Sequence, residues 1–399
     1  MLGNAAHVIA TAVPTGKRGL HQQVEESLGA IKTALTEAGS AALLAQTVFL
    51  QDMKDAAACR RLFASYYGPN LPVTTFVHQP PCNGAALALE AWAVGGDSVE
   101  VRRYGPHLVL VSHNGVTWAH CGGIVPATRA RSVYQRALNA FAGMRAQVDG
   151  WEAGFGHVVR TWLYIGDIVG PEKALDPETH TVKETQRYKE LNRARTDFYR
   201  GIPFGRGHLK DRSRRQIYPA STGIGMNGSD LAMSCLALDT QRKDVFILPL
   251  ENPQQTPAYQ YHSRFSPQSP KFSRAMAVVV GDDVITLVSG TASIVDSETR
   301  YIGNVKKQTE QTLENIERLI APENYAAHKI PCAGATMDDL IFARVYVKRP
   351  EDYPKCRDVC RKRLGAVPIT YVVADVCRPE LLVEIECIAA SKRRRNPGL

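Results

Sequence analysis

The sequence predicts an α+β protein built from three similar units in one chain, each a mixed β-sheet with helices on one face. The main observation is an internal repeat. Residues 71–90 and 367–386 each open a β-rich run with a proline, break it at a polar turn, and end a second apolar run with a glutamate. The repeat extends upstream, where residues 43–68 pair with residues 340–365, and a diverged third copy lies between them. Repeated units stack against one another, so functional sites are expected between units.

The first unit is predicted over residues 1–97 and lacks an opening β-hairpin. Its helix near Gln23 carries glutamine, leucine and isoleucine at the same intervals as the helix near Gln308 in the third unit. The strand, second helix and closing strands that follow also match the third unit. Each copy is therefore interpreted as helix, strand, helix and strand.

The middle unit is predicted over residues 98–243. Its first part alternates polar and apolar residues around turns at Gly105 and Asn114, which is typical of antiparallel strands. A helix at 132–146 and a buried strand at 157–169 follow. The charged insertion at 170–185 is expected to be a surface loop.

The third unit, residues 244–390, is the most complete. A proline-rich connector at 251–275 carries aromatic residues and is expected to pack across a surface. A hairpin turning at Gly281 precedes the remaining elements, and the order β-β-α-β-α-β places helices on one face of a mixed sheet. These elements are predicted as a helix at 305–320, a strand at 340–348, a helix at 354–364 and closing strands within 369–389. Residues 391–399 are predicted to be a solvated basic tail.

The composition is that of a globular protein, with 44% hydrophobic and 22% charged residues in 399. No apolar run approaches the ~20 residues that span a membrane. Nine irregularly spaced cysteines favour reduced thiols and a cytoplasmic location. Cys356 and Cys360 have the spacing to share a metal, but no matching pair stands nearby, so we expect core thiols.

The formal net charge of +9 raises the question of nucleic-acid binding. Part of that charge falls in the tail, and no nucleic-acid-binding motif accompanies it. We therefore expect neither a nucleic-acid nor a membrane partner. Surplus arginine has another use, which is to hold a small dianion.

Four motifs in the third unit carry a family resemblance. The sequence FSRA stands before the hairpin, SGTAS on its second strand, QTLENI on the helix and LLVEIE on the last strand. This set resembles the RidA/YjgF family, whose members are trimers with sites at subunit interfaces. The resemblance implies a single-chain pseudo-trimer. One departure is that Ile369 stands where RidA enzymes carry the arginine that binds the substrate carboxylate, which argues against imine hydrolysis.

A narrower set of motifs is similar to the chorismatases, RidA-derived enzymes that act on chorismate and release pyruvate. These motifs lie at residues 161–165, 218–225, 251–275, 289–293 and 375–386. The resemblance implies that chorismate, a small molecule, is converted to pyruvate and a hydroxybenzoate. It implies no cofactor and no metal, and we expect the chain to act as a monomeric pseudo-trimer.

In the chorismatases a glutamate on the last strand is the acid, and the matching residue is Glu384. Counting along the copies places Ala88 and Met233 at the equivalent positions, so only the third unit has a carboxylate there. The alternative is structural. Glu384 and Glu386 alternate along one strand face, and two glutamates on a water-facing side are common.

The resemblance also implies residues that shape the pocket and bind the substrate. Gly290 and Cys377 match the branch of the family that makes 3-hydroxybenzoate, although each also has a structural explanation as a bulge or a buried thiol. The candidates for holding two substrate carboxylates are Arg160, Arg274 and Arg344, with Tyr261 as a hydroxyl donor. Arginines at such positions also form structural ion pairs. Two other functions stay open, a RidA-like enamine or imine deaminase and a non-catalytic ligand-binding scaffold.

Overall fold

A computed structural model describes most of the chain, and its fold is α+β, as predicted. The described residues are 2, 4–15, 18–128, 130, 132–151, 154–175, 181–205, 217–262, 267–328 and 333–393.

The first unit forms a four-stranded sheet in the order β1-β4-β2-β3, in which only β2 and β3 are parallel. Its elements are β1 (Ala6–Ala12), α1 (Leu20–Glu37), β2 (Ala42–Leu50), α2 (Ala56–Tyr67), β3 (Val73–Val77) and β4 (Leu87–Gly95). The sequence did not predict β1, which pairs with β4 along its whole length.

The middle unit forms a six-stranded sheet in the order β11-β8-β12-β7-β6-β5, with β8 and β11 parallel. Its elements are β5 (Glu100–Tyr104), β6 (Leu108–His113), β7 (Val116–Ile124), α3 (Val133–Asp149), β8 (Val158–Gly166), β9 (Pro171–Leu175), β10 (Val182–Gln186), α4 (Arg187–Tyr199), β11 (Ala220–Met226) and β12 (Leu231–Thr240). The prediction of a surface loop at 170–185 is wrong, because β9 and β10 pair there as an antiparallel hairpin.

The third unit forms a six-stranded sheet in the order β13-β14-β15-β20-β18-β19, with β18 and β19 parallel. Its elements are β13 (Val245–Leu250), β14 (Ala275–Val280), β15 (Asp283–Ala292), the short pair β16 (Ile294–Val295) and β17 (Glu298–Thr299), α5 (Val305–Ile320), α6 (Pro322–Ala327), β18 (Leu340–Val347), α7 (Tyr353–Leu364), β19 (Ile369–Val373) and β20 (Val383–Lys392). The predicted tail starts too early, because Ser391 and Lys392 belong to β20 and Lys392 pairs with Asp283 at 2.7 Å. Residues 394–399 of that tail lie outside the described residues.

The three sheets share a four-strand core, β3-β2-β4-β1, β11-β8-β12-β7 and β19-β18-β20-β15, each with one parallel pair at one edge. Strand register identifies equivalent residues. Tyr346 pairs with Glu384, as Tyr164 pairs with Ala232. The middle counterpart of Glu384 is therefore Ala232, and the expectation of Met233 is wrong by one residue, which reverses the face of a strand.

Each sheet buries one face under its own helices and the other against the neighbouring units. Three apolar clusters lie between the helices and the sheet of a single unit. Two others combine residues of all three units, and one of them brings together Phe49, Tyr164 and Tyr346, which occupy equivalent positions. The sheets thus meet at their helix-free faces. A threefold arrangement, and the unit boundaries given above, stay predictions.

The proline-rich connector packs on the protein as expected, since Asn252, Gln255 and Ala258 are buried. Asn252 donates a hydrogen bond to the Asn315 carbonyl at 2.7 Å. In the described part of the chain, no helix has both the length and the apolar character needed to cross a membrane.

Candidate active site

Glu384 lies at the centre of the third sheet, where β20 runs between β15 and β18. Its side chain is 5% exposed, so the alternative of a water-facing glutamate is excluded. Between Val288 and Thr291 the register of β15 against β20 shifts by one residue, which forms a bulge at Ser289 and Gly290. A Cβ atom at Gly290 would lie 2.0 Å from Glu384 Oε1. An alanine here would make the Glu384 carboxyl group shift, so glycine leaves the space that this group occupies.

The environment of Glu384 favours the protonated carboxylic acid. Burial, followed by the negative charge of Glu386, raises its pKa to about 8, although Arg160 and Arg274 oppose the shift. Among the described residues no group donates a hydrogen bond to this carboxyl. A proton held at neutral pH in an apolar wall is what a general acid needs.

Glu386, two residues further along β20, has the opposite environment. Arg160 Nη2 donates to it at 2.9 Å, Arg344 Nη1 at 2.6 Å and Trp162 Nε1 at 3.0 Å. The Thr222 hydroxyl donates a short hydrogen bond to the same carboxylate. Burial alone would raise the pKa of Glu386, but Arg344 and Arg160 hold it below its ordinary value. Glu386 is therefore ionised in the folded protein at neutral pH.

Arg344 extends this network to the first unit. Its Nε atom donates to both oxygens of Glu90, at 2.9 and 3.0 Å, and Nη2 also contacts Glu90. Its Nη1 atom donates to the phenol oxygens of Tyr164 and Tyr346. We call Glu90, Arg160, Arg344 and Glu386 the ion-pair cluster. It contains residues of all three units, and its charges balance when both carboxylates are ionised.

A cleft of about 480 Å³ lies between the middle and third units. It is lined by α4, by β10, by the connector and by the loop between β19 and β20. The residues that bear on chemistry are Tyr188, Lys189, Asn192, Tyr261, Cys377 and Arg378. Tyr188 and Cys377 are within electrostatic reach of Glu384, so the acid lies behind the inner wall of this cleft.

Two buried arginines beside the cleft lie close to the same aromatic ring. The Arg274 guanidinium lies 5.5 Å and the Arg195 guanidinium 5.6 Å from the centre of the Phe272 ring. Arg274 donates to the Tyr261 hydroxyl at 2.5 Å and to the Thr256 carbonyl at 3.1 Å. The Nε atoms of both arginines are buried, and neither has a hydrogen-bond partner among the described residues. Each arginine therefore retains an unused donor.

Arg195 was not predicted from the sequence. It is 1% exposed, and it donates to Asn192 Oδ1 at 2.5 Å and to Ser221 Oγ at 3.4 Å. The sequence signal that could have identified Arg195 was its spacing from two other polar residues. Tyr188, Asn192 and Arg195 follow one another at intervals of four and three, so they share one face of a helix that must cover a sheet. Polar side chains on a buried helix face indicate a site.

The residues predicted to bind the substrate or shape the pocket form two groups in the structure. Tyr261, Arg274, Gly290 and Cys377 lie beside Glu384 or on the cleft. Cys377 is half-buried, and burial raises its pKa to about 12, so it is a neutral thiol.

Arg160 and Arg344 instead belong to the ion-pair cluster. Both border a small central cavity of about 90 Å³ that is lined by all three units. The donors of Arg344 are engaged by two carboxylates and two phenols, a geometry that does not favour binding of a substrate carboxylate. The substrate-binding roles of all these residues stay predictions.

Metal coordination by the paired cysteines has no support in this geometry. Over the described ranges, no three side chains of histidine, cysteine, aspartate or glutamate come close enough together to hold a metal ion. Cys356 and Cys360 are buried in the core of the third unit.

The ion-pair cluster generates a stability prediction. Arg344→Met leaves Glu90 without its cation and weakens the neutralisation of Glu386, so it is expected to lower the free energy of unfolding by about 3–5 kcal/mol. Urea denaturation measures the change. The matched control is Arg318→Met, which removes an exposed pair with Glu314 and should cost less than about 1 kcal/mol. Equal effects of the two substitutions would contradict the role of the cluster.

The raised pKa of Glu384 predicts that this residue lowers the free energy of unfolding at high pH. The folded state holds this proton until about pH 8, whereas a glutamate in the unfolded chain loses it near pH 4.5. The part of the free energy of unfolding that depends on this proton is fully present below pH 4.5. It is lost progressively as the pH rises to about 8. Glu384→Gln, which stays neutral, should therefore raise the free energy of unfolding at pH 8.5 by roughly 1–3 kcal/mol and have no effect near pH 4.5. A gain of the same size at both pH values would contradict this assignment.

Comparison with known proteins agrees with the fold. Residues 266–391, most of the third unit, match the family described as endoribonuclease L-PSP. A crystal structure of a chorismatase superposes with a TM-score of 0.65, covering 96% of this chain and 98% of its own at 20% sequence identity. At that identity the match establishes the fold alone.

Sequence relatives establish the family. The chain is 35% identical over 306 residues to a 3-hydroxybenzoate synthase of Streptomyces hygroscopicus, which covers 74% of this chain and 80% of the relative. It is 30% identical over 290 residues to a chorismatase of Streptomyces rapamycinicus, covering 70% and 78%. These matches confirm the resemblance identified from the motifs, and the chain belongs to the chorismatase family.

Proposed function

We propose that this protein converts chorismate to pyruvate and 3-hydroxybenzoate, with Glu384 as the general acid. The observation that carries the proposal is a buried carboxyl group that stays protonated at neutral pH, beside a cleft flanked by two arginines with unused donors. The similarity to a 3-hydroxybenzoate synthase supports the choice of product. The cleft between the middle and third units is the proposed active site.

The first chemical step breaks an enol ether. Glu384 gives its proton to the terminal methylene of chorismate, which becomes a methyl group and leaves a positively charged oxocarbenium ion. The bond between the ring carbon and the ether oxygen then breaks, and its electron pair becomes part of the keto group of pyruvate. A positioned acid of this kind contributes roughly 10²–10⁴ to the rate.

The second step decides the product. The neighbouring ring hydroxyl attacks the carbon that pyruvate leaves, forming an epoxide, and its proton returns to the Glu384 carboxylate. Opening of the epoxide with transfer of a ring proton to oxygen gives the aromatic acid, and no water is consumed. If water attacks the ring carbon in place of the hydroxyl, the product is a non-aromatic dihydroxycyclohexadiene carboxylate.

The two carboxylates of the substrate require two cations. Arg274 and Arg195 meet this need better than Arg160 and Arg344, because their unpaired buried donors lie next to the cleft, whereas the unpaired Nη1 atom of Arg160 lies in the ion-pair cluster beside the central cavity. Tyr261 is hydrogen-bonded to Arg274 and adds a hydroxyl at the cleft surface. We assign one substrate carboxylate to Arg274 with Tyr261, and the other to Arg195.

Gly290 and Cys377 are proposed to favour the hydroxyl over water. Gly290 leaves the Glu384 carboxyl in place, and its backbone N–H donates to the Thr222 hydroxyl at 2.9 Å. Cys377 packs against the core of the middle unit and lines the cleft. Gly290 thus sets the position of the acid, and Cys377 forms part of the wall that faces the substrate ring and water.

A RidA-like deaminase is less well supported. The position where that chemistry places an arginine is Ile369, whose side chain packs against the apolar core of the third unit. This position provides no cation for a substrate carboxylate.

Pyruvate release tests the reaction. Incubation of the purified protein with chorismate should release pyruvate, and Glu384→Gln should reduce the rate by about 10²–10⁴ because the amide has no proton to give. A coupled lactate dehydrogenase assay measures pyruvate. Glu314→Gln, an exposed substitution on α5, is the control and should behave as the wild type. Release of pyruvate by Glu384→Gln at the wild-type rate would exclude this mechanism.

Product analysis tests the role of the pocket residues. In water enriched in oxygen-18, the wild-type protein should give 3-hydroxybenzoate without the label, because the phenolic oxygen comes from the ring hydroxyl. The double variant Gly290→Ala/Cys377→Ala should shift the product towards the diol, with one labelled hydroxyl. Chromatography with mass spectrometry separates the two. Labelled 3-hydroxybenzoate, or an unchanged product from the double variant, would contradict the assignment.

A further inference from the structure

We propose that Glu386 is a positioning residue that keeps the catalytic acid protonated, because it is locked as an anion by Arg160 and Arg344 and repels a second negative charge at Glu384. This inference rests on the proposed function of Glu384. It assigns a role in the reaction to the ion-pair cluster, which also contains Glu90 and does not border the cleft between the middle and third units.

The geometry starts from the alternation of side chains along β20. Glu384 and Glu386 are two residues apart and therefore share a face of the strand, with their Cα atoms roughly 7 Å apart. Both side chains are buried, at 5% and 3% exposure. Little water screens one charge from the other at this depth.

The hydrogen bonds of Glu386 fix its charge and its position. Oε1 accepts from Trp162 and Arg344, and Oε2 accepts from Arg160 and Thr222. Two of these donors are guanidinium groups, which remain charged over the whole working range of pH. Glu386 has no means of moving towards solvent or of taking up the proton that Glu384 holds.

The groups around Glu384 divide into those that favour its proton and those that oppose it. The charged and titratable groups that act on it or respond to it are Glu386 on β20, Arg160 on β8, Arg274 before β14, Tyr188 on α4 and Cys377 before β20. Tyr188 and Cys377 are neutral at pH 8, because burial raises the pKa of each phenol or thiol. Glu386 is thus the anion set against two arginines.

Burial is the largest cause of the raised pKa of Glu384. The negative charge of Glu386 is the second-largest cause. A unit charge about 7 Å away in a partly screened protein interior is worth roughly one to two pH units. Without that contribution the acid would be largely ionised at neutral pH. The anion of the cluster therefore sets the fraction of enzyme that is able to donate a proton.

The test is the pH dependence of kcat/KM for pyruvate release between pH 6 and 10. The wild-type rate should be constant at low pH and fall as the pH rises through about 8, since only the protonated acid reacts. Glu386→Gln should move this fall to lower pH by about one to two units. Glu386→Asp keeps the charge and should leave the fall close to its wild-type position.

Two further variants separate this effect from general destabilisation. Glu90→Gln removes an equally buried carboxylate at the other end of the cluster, which does not contribute to the shift at Glu384, and should leave the fall unchanged. Arg160→Met removes a cation that opposes the proton, while Arg344 still holds Glu386, and should move the fall to higher pH. If Glu386→Gln does not fold, the direction of the Arg160→Met shift decides.

Opposite shifts for Glu386→Gln and Arg160→Met support the inference. The same pH dependence in all variants, or shifts of the two in one direction, would overturn it even if Glu384→Gln is inactive. Full activity of Glu384→Gln would instead overturn the proposed function, whatever the pH profiles.

Discussion

The buried ion pair between Arg344 and two glutamates is the interaction on which the rest of the structure depends. Arg344 lies on β18 of the third unit, Glu90 on β4 of the first and Glu386 on β20 of the third, and Arg160 adds the middle unit. Apolar packing between sheets is not directional, whereas these hydrogen bonds fix register and orientation. Because any unpaired member would be a buried charge, arrangements of the three sheets that separate these partners are disfavoured.

The same cluster explains how one strand holds two glutamates in opposite states. Glu386 faces four donors and loses its proton, while Glu384 faces a glycine and an apolar wall and keeps it. Differences in environment of this kind divide a pair of similar carboxyl groups into a permanent anion and an acid. The charge of the first supports the protonation of the second, so stability and reactivity are linked through a single face of β20.

Repetition made most of the fold predictable, and irregular features account for what was missed. Helix α5 was predicted with its observed bounds because its glutamine, leucine and isoleucine spacing repeats that of the first unit, and the N-cap at Asn304 agrees with where it begins. The hairpin of β9 and β10 was missed because its residues are largely polar and exposed, and therefore lack strand periodicity. Met233 was named in place of Ala232 because the middle copy is too diverged for its motifs to fix the alignment, whereas the pairing of Ala232 with Tyr164 identifies the equivalent residue. For the site, Glu384, Gly290 and Cys377 were found through motifs, whereas Arg195 is brought to Arg274 only by the packing of α4.

The difference between the copies follows from the cost of a buried acid. The positions equivalent to Glu384 are Ala88 and Ala232, and both pack in the apolar cluster that joins the units. Without an anion beside it, a carboxyl group at either position would ionise. Without a glycine against it, the same group would collide with its neighbour. Only the third unit combines Glu384 with Gly290 and with Glu386 held by two arginines. The acid is therefore tolerated at one interface, and the other two use the same position for packing.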